Sequence, residues 1–154
     1  MLYLDSSALA KRYFQERGSK RLRSRLNRGD RVFTSDLTYA EIHAAIGRKY
    51  RDGSMDRKAF LRLRERFMAD WLFGLNTLEV NPATTMTQVP ALLERFQLRG
   101  ADAVHLAAAM WLRDSLLVGV QPAGEDVTLE FGVADTRLAD AGAQCGLSVF
   151  NPES

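Results

Sequence analysis

Apolar and polar positions alternate in two ways along this chain. Short apolar runs are followed by longer stretches in which apolar residues recur every three or four positions. The first run, Leu2-Tyr3-Leu4, ends on Asp5-Ser6-Ser7 and reads as a buried strand that delivers an acid to a sheet edge. Residues 6–14 then read as a helix, with Ala8, Leu9, Tyr13 and Phe14 as its apolar positions, and Gly18-Ser19 breaks it. Residues 20–27 predict a second, very basic helix around Leu22 and Leu26, and residues 28–30 a turn. Residues 31–34 form a short strand of β-favouring residues. Ser35-Asp36-Leu37-Thr38 has helix-start chemistry, and Tyr39, Ile42, Ile46 and Tyr50 follow at helical spacing until residues 51–54 close the helix.

The second half continues the alternation. Residues 56–73 predict a helix with Phe60, Leu63, Phe67 and Trp71 on its buried stripe and Arg57, Lys58, Arg62, Arg64 and Arg66 opposite. Residues 77–80 are a strand candidate stopped by Asn81-Pro82. Residues 84–98 read as a helix in which Pro90 predicts a kink or a split. Arg99-Gly100 breaks the chain before residues 101–114, a helix apolar nearly all round and therefore buried. Residues 116–120 are a strand candidate, residues 121–126 a polar turn, and residues 127–134 a further strand or a continuation. An Ala-rich helix over residues 135–145 and a last strand over residues 147–150 complete the pattern. Strands alternating with helices predict an α/β fold on a mostly parallel sheet covered on both faces. No repeat or linker marks a boundary, so residues 1–154 read as a single domain.

The 46% hydrophobic and 26% charged content is ordinary for a globular protein, and no apolar run approaches the ~18 residues of a membrane span. The first residues lack the basic and long apolar regions of a secretory signal. The single cysteine, Cys145, makes no internal disulfide, and a cytoplasmic location is expected. Charge is unevenly placed: residues 1–66 carry 17 Lys/Arg against 8 Asp/Glu, and residues 67–154 carry 4 against 11. The asymmetry is that of a chain with a polyanion partner, or of solvated helix faces laced with ion pairs.

Four acids share one position, the junction where a strand or break meets an apolar helix: Asp5, Glu41, Asp102 and Asp135. Each has a structural explanation. Asp5 and Asp135 fit N-caps, Thr38-Tyr39-Ala40-Glu41 fits a capping box, and Asp102 suits the dipole of a first helical turn. Their shared surroundings point elsewhere. Carboxylates converging at low dielectric repel one another unless a cation neutralises them. All-oxygen clusters suit Mg²⁺ or Mn²⁺, and no Cys/His set has zinc spacing. Such an ion beside a basic surface suggests phosphodiester hydrolysis.

The motifs Leu4-Asp5-Ser6-Ser7-Ala8-Leu9-Ala10-Lys11-Arg12-Tyr13, Thr38-Tyr39-Ala40-Glu41-Ile42, Ala101-Asp102-Ala103-Val104-His105-Leu106-Ala107 and Ala134-Asp135-Thr136-Arg137-Leu138-Ala139 resemble, in this order, those of PIN-domain proteins. The chain is most similar to VapC-type toxins of toxin–antitoxin pairs. The resemblance implies a PIN-like three-layer α/β/α sandwich with a sheet of about five strands. It also implies a Mg²⁺- or Mn²⁺-dependent endoribonuclease, with Asp5, Glu41, Asp102 and Asp135 as metal ligands and catalytic residues. A cognate protein antitoxin laid across the acidic site and a homodimer follow from the same resemblance. Val133 departs from it, standing where many relatives carry Thr or Ser, and residues 121–130 form a longer link than usual.

Ser6 and Thr34 are candidate supporting hydroxyls at the same edge. His105, one turn after Asp102, reads as a general base or as a satisfied, partly buried histidine. Lys11, Arg12 and the basic helix faces are candidates for tracking RNA phosphate. The alternative to the nuclease is a catalytically silent PIN-like module that binds RNA or protein without cutting. A response-regulator-like phosphotransfer domain is discounted, since no Lys follows Lys58.

Overall fold

The computed structural model describes residues 1–118 and 128–154. Five short strands form one sheet: β1 (Leu2–Leu4), β2 (Val32–Ser35), β3 (Asn76–Leu78), β4 (Glu130–Gly132) and β5 (Ser148–Phe150). All neighbours run parallel, in the order β3-β2-β1-β4-β5. The chain therefore builds outward from β1 through β2 to β3, then returns to the other side of β1. The switch point lies between β1 and β4, where Leu4 pairs with Gly132. Crevices at such points, outside the carboxyl ends of the strands, are where open α/β sheets bind ligands.

Period-two alternation along β1 separates two cores. Leu2 and Leu4 pack against Ala8 and Leu9 of α1 (Ser6–Ala10), Leu22 of α2 (Ser19–Leu26), Ile42 and Ile46 of α3 (Leu37–Arg51) and Phe67 of α4 (Arg57–Phe73). Tyr3 points the other way. It joins Phe33 and Phe131 beneath Leu92 of α5 (Val89–Arg95), Leu106 of α6 (Gly100–Val118) and Leu138 of α7 (Thr136–Gln144). The two clusters on opposite faces make the three-layer α/β/α sandwich expected from the sequence, with an all-parallel sheet.

Several boundaries differ from the sequence reading. The helix expected over residues 84–98 begins only at Val89; Pro90, which lacks an N–H, sits in its first turn rather than kinking its middle. Turns precede it, with the Thr85 hydroxyl accepting from Asn81 N at 2.9 Å. Leu116–Val118 were expected to start a strand and instead finish α6, so the buried helix runs longer than residues 101–114. The remainder of that strand candidate, the polar turn over 121–126 and most of the long link lie outside the described residues. The strand placed within 127–134 is β4.

The capping box at Thr38 and Glu41 does not form. The Thr38 hydroxyl pairs with Thr34 at 2.6 Å, and Glu41 turns to His105 instead. Gly18, at a φ of 83°, lies where an added Cβ would stand 2.7 Å from the Pro152 carbonyl oxygen, so only glycine lets the C-terminal segment close over the start of α2.

Part of the positive charge of the first half is consumed by architecture. Arg12 forks onto Asp70 with Nε and Nη2 both at 2.8 Å, and the Tyr13 hydroxyl donates to the same carboxylate at 2.9 Å. Buried Arg25 bonds Glu130 at 2.7 Å and also pairs with Asp30, joining α2 to β4. Lys11, equally buried, pairs with Glu153. Lys11 and Arg12, candidates for reaching phosphate, are thus held by acids of the fold. Asp70 is partly buried, which alone would raise its carboxyl; the Arg12 and Tyr13 hydrogen bonds outweigh this and hold it below the usual range. Its contribution is therefore present at neutral pH and lost as the pH falls through the depressed value. Asp70→Asn keeps the shape but cannot serve both guanidinium nitrogens as an anion. We expect it to cost about 1–2 kcal/mol in urea unfolding at neutral pH, with the deficit shrinking toward acid; a neutral-pH loss below about 0.5 kcal/mol would show the tie to be dispensable.

Candidate active site

Asp5 ends β1 and caps α1, and its carboxylate is nearly out of contact with solvent, at 3% exposure. Its Oδ1 accepts from Ala8 N at 2.8 Å, and the Ser7 hydroxyl donates to Oδ2 at 2.7 Å. Ser7 Oγ in turn accepts from Ala134 N at 3.2 Å, stitching the end of β1 to the end of β4 across the switch point. Burial pushes the Asp5 carboxyl up; the charge of His105 and the Ser7 and Ala8 hydrogen bonds pull it back only in part.

The other three acids arrive on separate helices. Glu41 stands near the start of α3 and is half-buried, with Oε2 2.9 Å from His105 Nε2. Burial raises its carboxyl, but bonds from His105 and Ser6 more than offset this and hold it below the ordinary range. Asp102 lies in the first turn of α6, with Oδ2 accepting from Arg99 N at 3.3 Å. Asp135 caps α7 through Oδ1 and Leu138 N at 3.0 Å. Asp5, Glu41, Asp102 and Asp135 line one cleft of about 440 Å³, together with Ser6, Ser7, Arg48 and Arg99. The sequence reading placed all four acids at helix starts, and the fold brings those starts together.

The cleft is a gathering of anions beside helix N-termini, whose free N–H groups favour negative charge. Each carboxylate faces its own cap or His105. Among the described residues no three His, Cys, Asp or Glu side chains close into a ready metal-holding group. In chemistry the donor set suits a hard divalent cation: carboxylate and hydroxyl oxygens only, with a desolvated charge at Asp5.

Thr34 does not belong to the cleft lining. It is buried, donating to the Leu4 carbonyl at 2.8 Å and sharing a hydrogen bond with Thr38. Ser35 is also buried, behind His105. Arg48 and Arg99 were not singled out from the sequence as site residues. Arg48 is one of many surface-type arginines on a basic stretch, and Arg99 sits in a break; only the fold shows that both border the acids.

A parallel five-stranded sheet with carboxylates at its switch point defines an α/β class of site, and comparison with known proteins narrows it. The PIN domain family matches residues 2–117. Ribonuclease VapC45 and ribonuclease VapC49, from two Mycobacterium tuberculosis strains, are each 32% identical over 118 residues, which is 77% of this chain and 81% of theirs. The chain belongs to the PIN-domain family and is of the VapC type. The crystal structure of FitAcB from Neisseria gonorrhoeae superposes with a TM-score of 0.69, covering 99% of this chain and 98% of that one at 19% identity, and so shares the fold.

The raised Asp5 carboxyl has a sign that can be measured. The folded state holds that proton more tightly than the unfolded chain does, so ionised Asp5 costs stability increasingly as pH rises above the ordinary carboxyl range. Asp5→Asn preserves an equally good N-cap and removes the charge. In EDTA it is expected to melt a few degrees above wild type at neutral pH, the gap closing toward about pH 4. A lower melting temperature at neutral pH would show that the charge is already compensated within the fold.

Proposed function

We propose that this protein is a metal-dependent endoribonuclease, the toxin of a toxin–antitoxin pair, and that it cuts RNA phosphodiester bonds in the cleft of Asp5, Glu41, Asp102 and Asp135. The observation that carries this reading is the convergence of four carboxylates from four different helix starts on one crevice at the switch point. The PIN-domain match and the two VapC ribonucleases support the chemistry.

In this reading the four acids hold Mg²⁺ or Mn²⁺. Bound there, the ion supplies electrophilic stabilisation of the phosphate and acidifies a water. The chain's own groups do the remainder. Glu41, held below the ordinary carboxyl range, stays ionised. Buried Asp5 is the carboxylate that gains most from positive charge nearby. Ser6 offers a hydroxyl on the cleft wall. Arg48 and Arg99 are exposed at the cleft, with no ion-pair partner among the described residues. Their forked guanidiniums suit phosphate and offset the repulsion between RNA and the acids. A cognate antitoxin segment across the cleft, a homodimer and a cytoplasmic setting belong to the same reading; among the described residues no helix is long and apolar enough to cross a membrane.

The test is cleavage of a cellular RNA pool by purified protein with Mg²⁺, Mn²⁺ or EDTA. Asp102→Asn, which keeps shape and removes one charge, is expected to lower cleavage on the order of a hundredfold or more. Wild-type protein that is folded yet cuts no better than Asp102→Asn with either ion would favour the silent binding module. Arg48→Gln and Arg99→Gln are expected to raise KM several-fold with kcat nearly kept, and each to flatten the dependence of log KM on log salt by about 0.7. Unchanged salt slopes would remove both arginines from the RNA path.

A further inference from the structure

His105 is buried to 1% exposure on α6, three residues beyond Asp102, and it does not line the cleft. Both ring nitrogens are engaged: Nε2 with Glu41 Oε2 at 2.9 Å, and Nδ1 with the Tyr3 hydroxyl at 3.1 Å and the Ser35 hydroxyl at 3.4 Å. An ionised carboxylate only accepts, so the proton between His105 and Glu41 is carried by Nε2. On the other side of the ring, Nδ1 faces the Tyr3 and Ser35 hydroxyls. Burial pushes the Tyr3 phenol far up, so its hydroxyl stays protonated. The ring also meets Tyr3 edge-on, with centroids 6.2 Å apart.

A ring enclosed in this way cannot take a proton from substrate, so the general-base reading fails on geometry. Nor does packing explain it, since an aliphatic side chain would fill the site without two polar atoms to satisfy. The arrangement acts on Glu41. That side chain is flexible and 29% exposed, and one of its oxygens is fixed from the protein interior by a donor that is itself fixed by β1 and β2.

We propose that His105 is a positioning residue: through Nε2–H it orients Glu41 toward the cleft, with Tyr3 and Ser35 locking the ring from behind. The proposal rests on the nuclease reading above, in which Glu41 is a metal ligand. It adds a histidine that never touches substrate, and the buried Tyr3 and Ser35 hydroxyls behind it.

The experiment compares the full chain with Glu41→Gln, His105→Gln and His105→Asn. The readouts are Mn²⁺ binding by electron paramagnetic resonance without RNA, melting temperature, and kcat and KM for RNA cleavage. Glutamine places an amide N–H near the position of Nε2, whereas asparagine reaches only as far as Nδ1. His105→Asn is expected to weaken Mn²⁺ binding about tenfold or more, and His105→Gln to recover to within about threefold of wild type. In His105→Asn kcat falls while KM for RNA stays nearly constant. A merely structural histidine would lower melting in both variants and leave Mn²⁺ affinity unchanged, which would overturn the proposal. Loss of binding in Glu41→Gln beside wild-type binding in His105→Asn overturns the positioning role alone. Failure of wild-type protein to bind Mn²⁺ overturns the metal reading and this proposal with it. If His105→Asn does not fold, Tyr3→Phe keeps the imidazole and removes only one hydroxyl. Weakened Mn²⁺ binding there supports the role, and wild-type affinity overturns it.

Discussion

A carboxylate held out of water at the end of a central strand is the constraint to which the rest of this structure responds. Uncompensated, such a charge costs several kcal/mol. Asp5 is offset locally by the first N–H groups of α1 and by Ser7, and at longer range by His105. These compensations determine the architecture around it. Ser7 must reach both Asp5 and Ala134, so β1 and β4 are held in register at the switch point. His105 must be buried beneath the sheet edge, so α6 passes behind β1 and β2 with its small, apolar residues inward. The cleft is what remains when four helix starts face that one buried charge.

The positive charge is divided between framework and rim. Arg12, Arg25 and Lys11 are tied to Asp70, to Asp30 and Glu130, and to Glu153, each linking elements distant in sequence. Other cations cover aromatic faces, as Lys49 does over Phe14 and Arg66 over Tyr13. The net excess of the first half therefore overstates what a polyanion would meet. At the acids themselves two guanidiniums, Arg48 and Arg99, stand at the border. In the nuclease reading, two local charges beside the cleft would bear more on phosphate binding than a net excess of nine spread over the first 66 residues, because exposed charges are screened within roughly 10 Å.

Of the fold, the alternation of strands and helices was legible because each apolar run is bounded by Gly, Pro or an acid. Misreadings cluster where local signals compete. Leu116-Leu117-Val118 is apolar and β-prone, yet it extends a helix that already packs against the sheet face; tertiary context decided there. Pro90 marked a boundary correctly, but residues before it also fit a helix by spacing alone. Of the site, the four acids were legible as helix-start residues. The missed features depend on long-range contacts: His105 with Tyr3 spans 102 positions and with Glu41 spans 64. No spacing rule reaches across such separations, which is also why the capping box at Thr38 looked satisfactory in sequence and does not form.

Capping does not exclude metal binding at these acids, since one carboxylate can serve both at different times. A cap bond contributes about 1 kcal/mol and keeps a carboxylate parked against its own helix. With Asp5, Asp102 and Asp135 bonded in this way and Glu41 drawn to His105, four like charges share one cleft without closing into a cluster. The fold can then bring the four acids together on its own, since each has a local partner to offset its neighbours' repulsion. In the nuclease reading, a cation that drew them together would compete with the bonds of the three aspartates one at a time, at a graded cost, while the Glu41–His105 bond would stay in place. Asp5, with two donors and almost no exposure, is the least free to turn; Asp102, with a single contact at 3.3 Å, is the most free. Rigidity is thus greatest at the strand end, leaving Asp5 as a fixed anion at the centre of the cleft, Glu41 held by His105, and Asp102 as the freer acid.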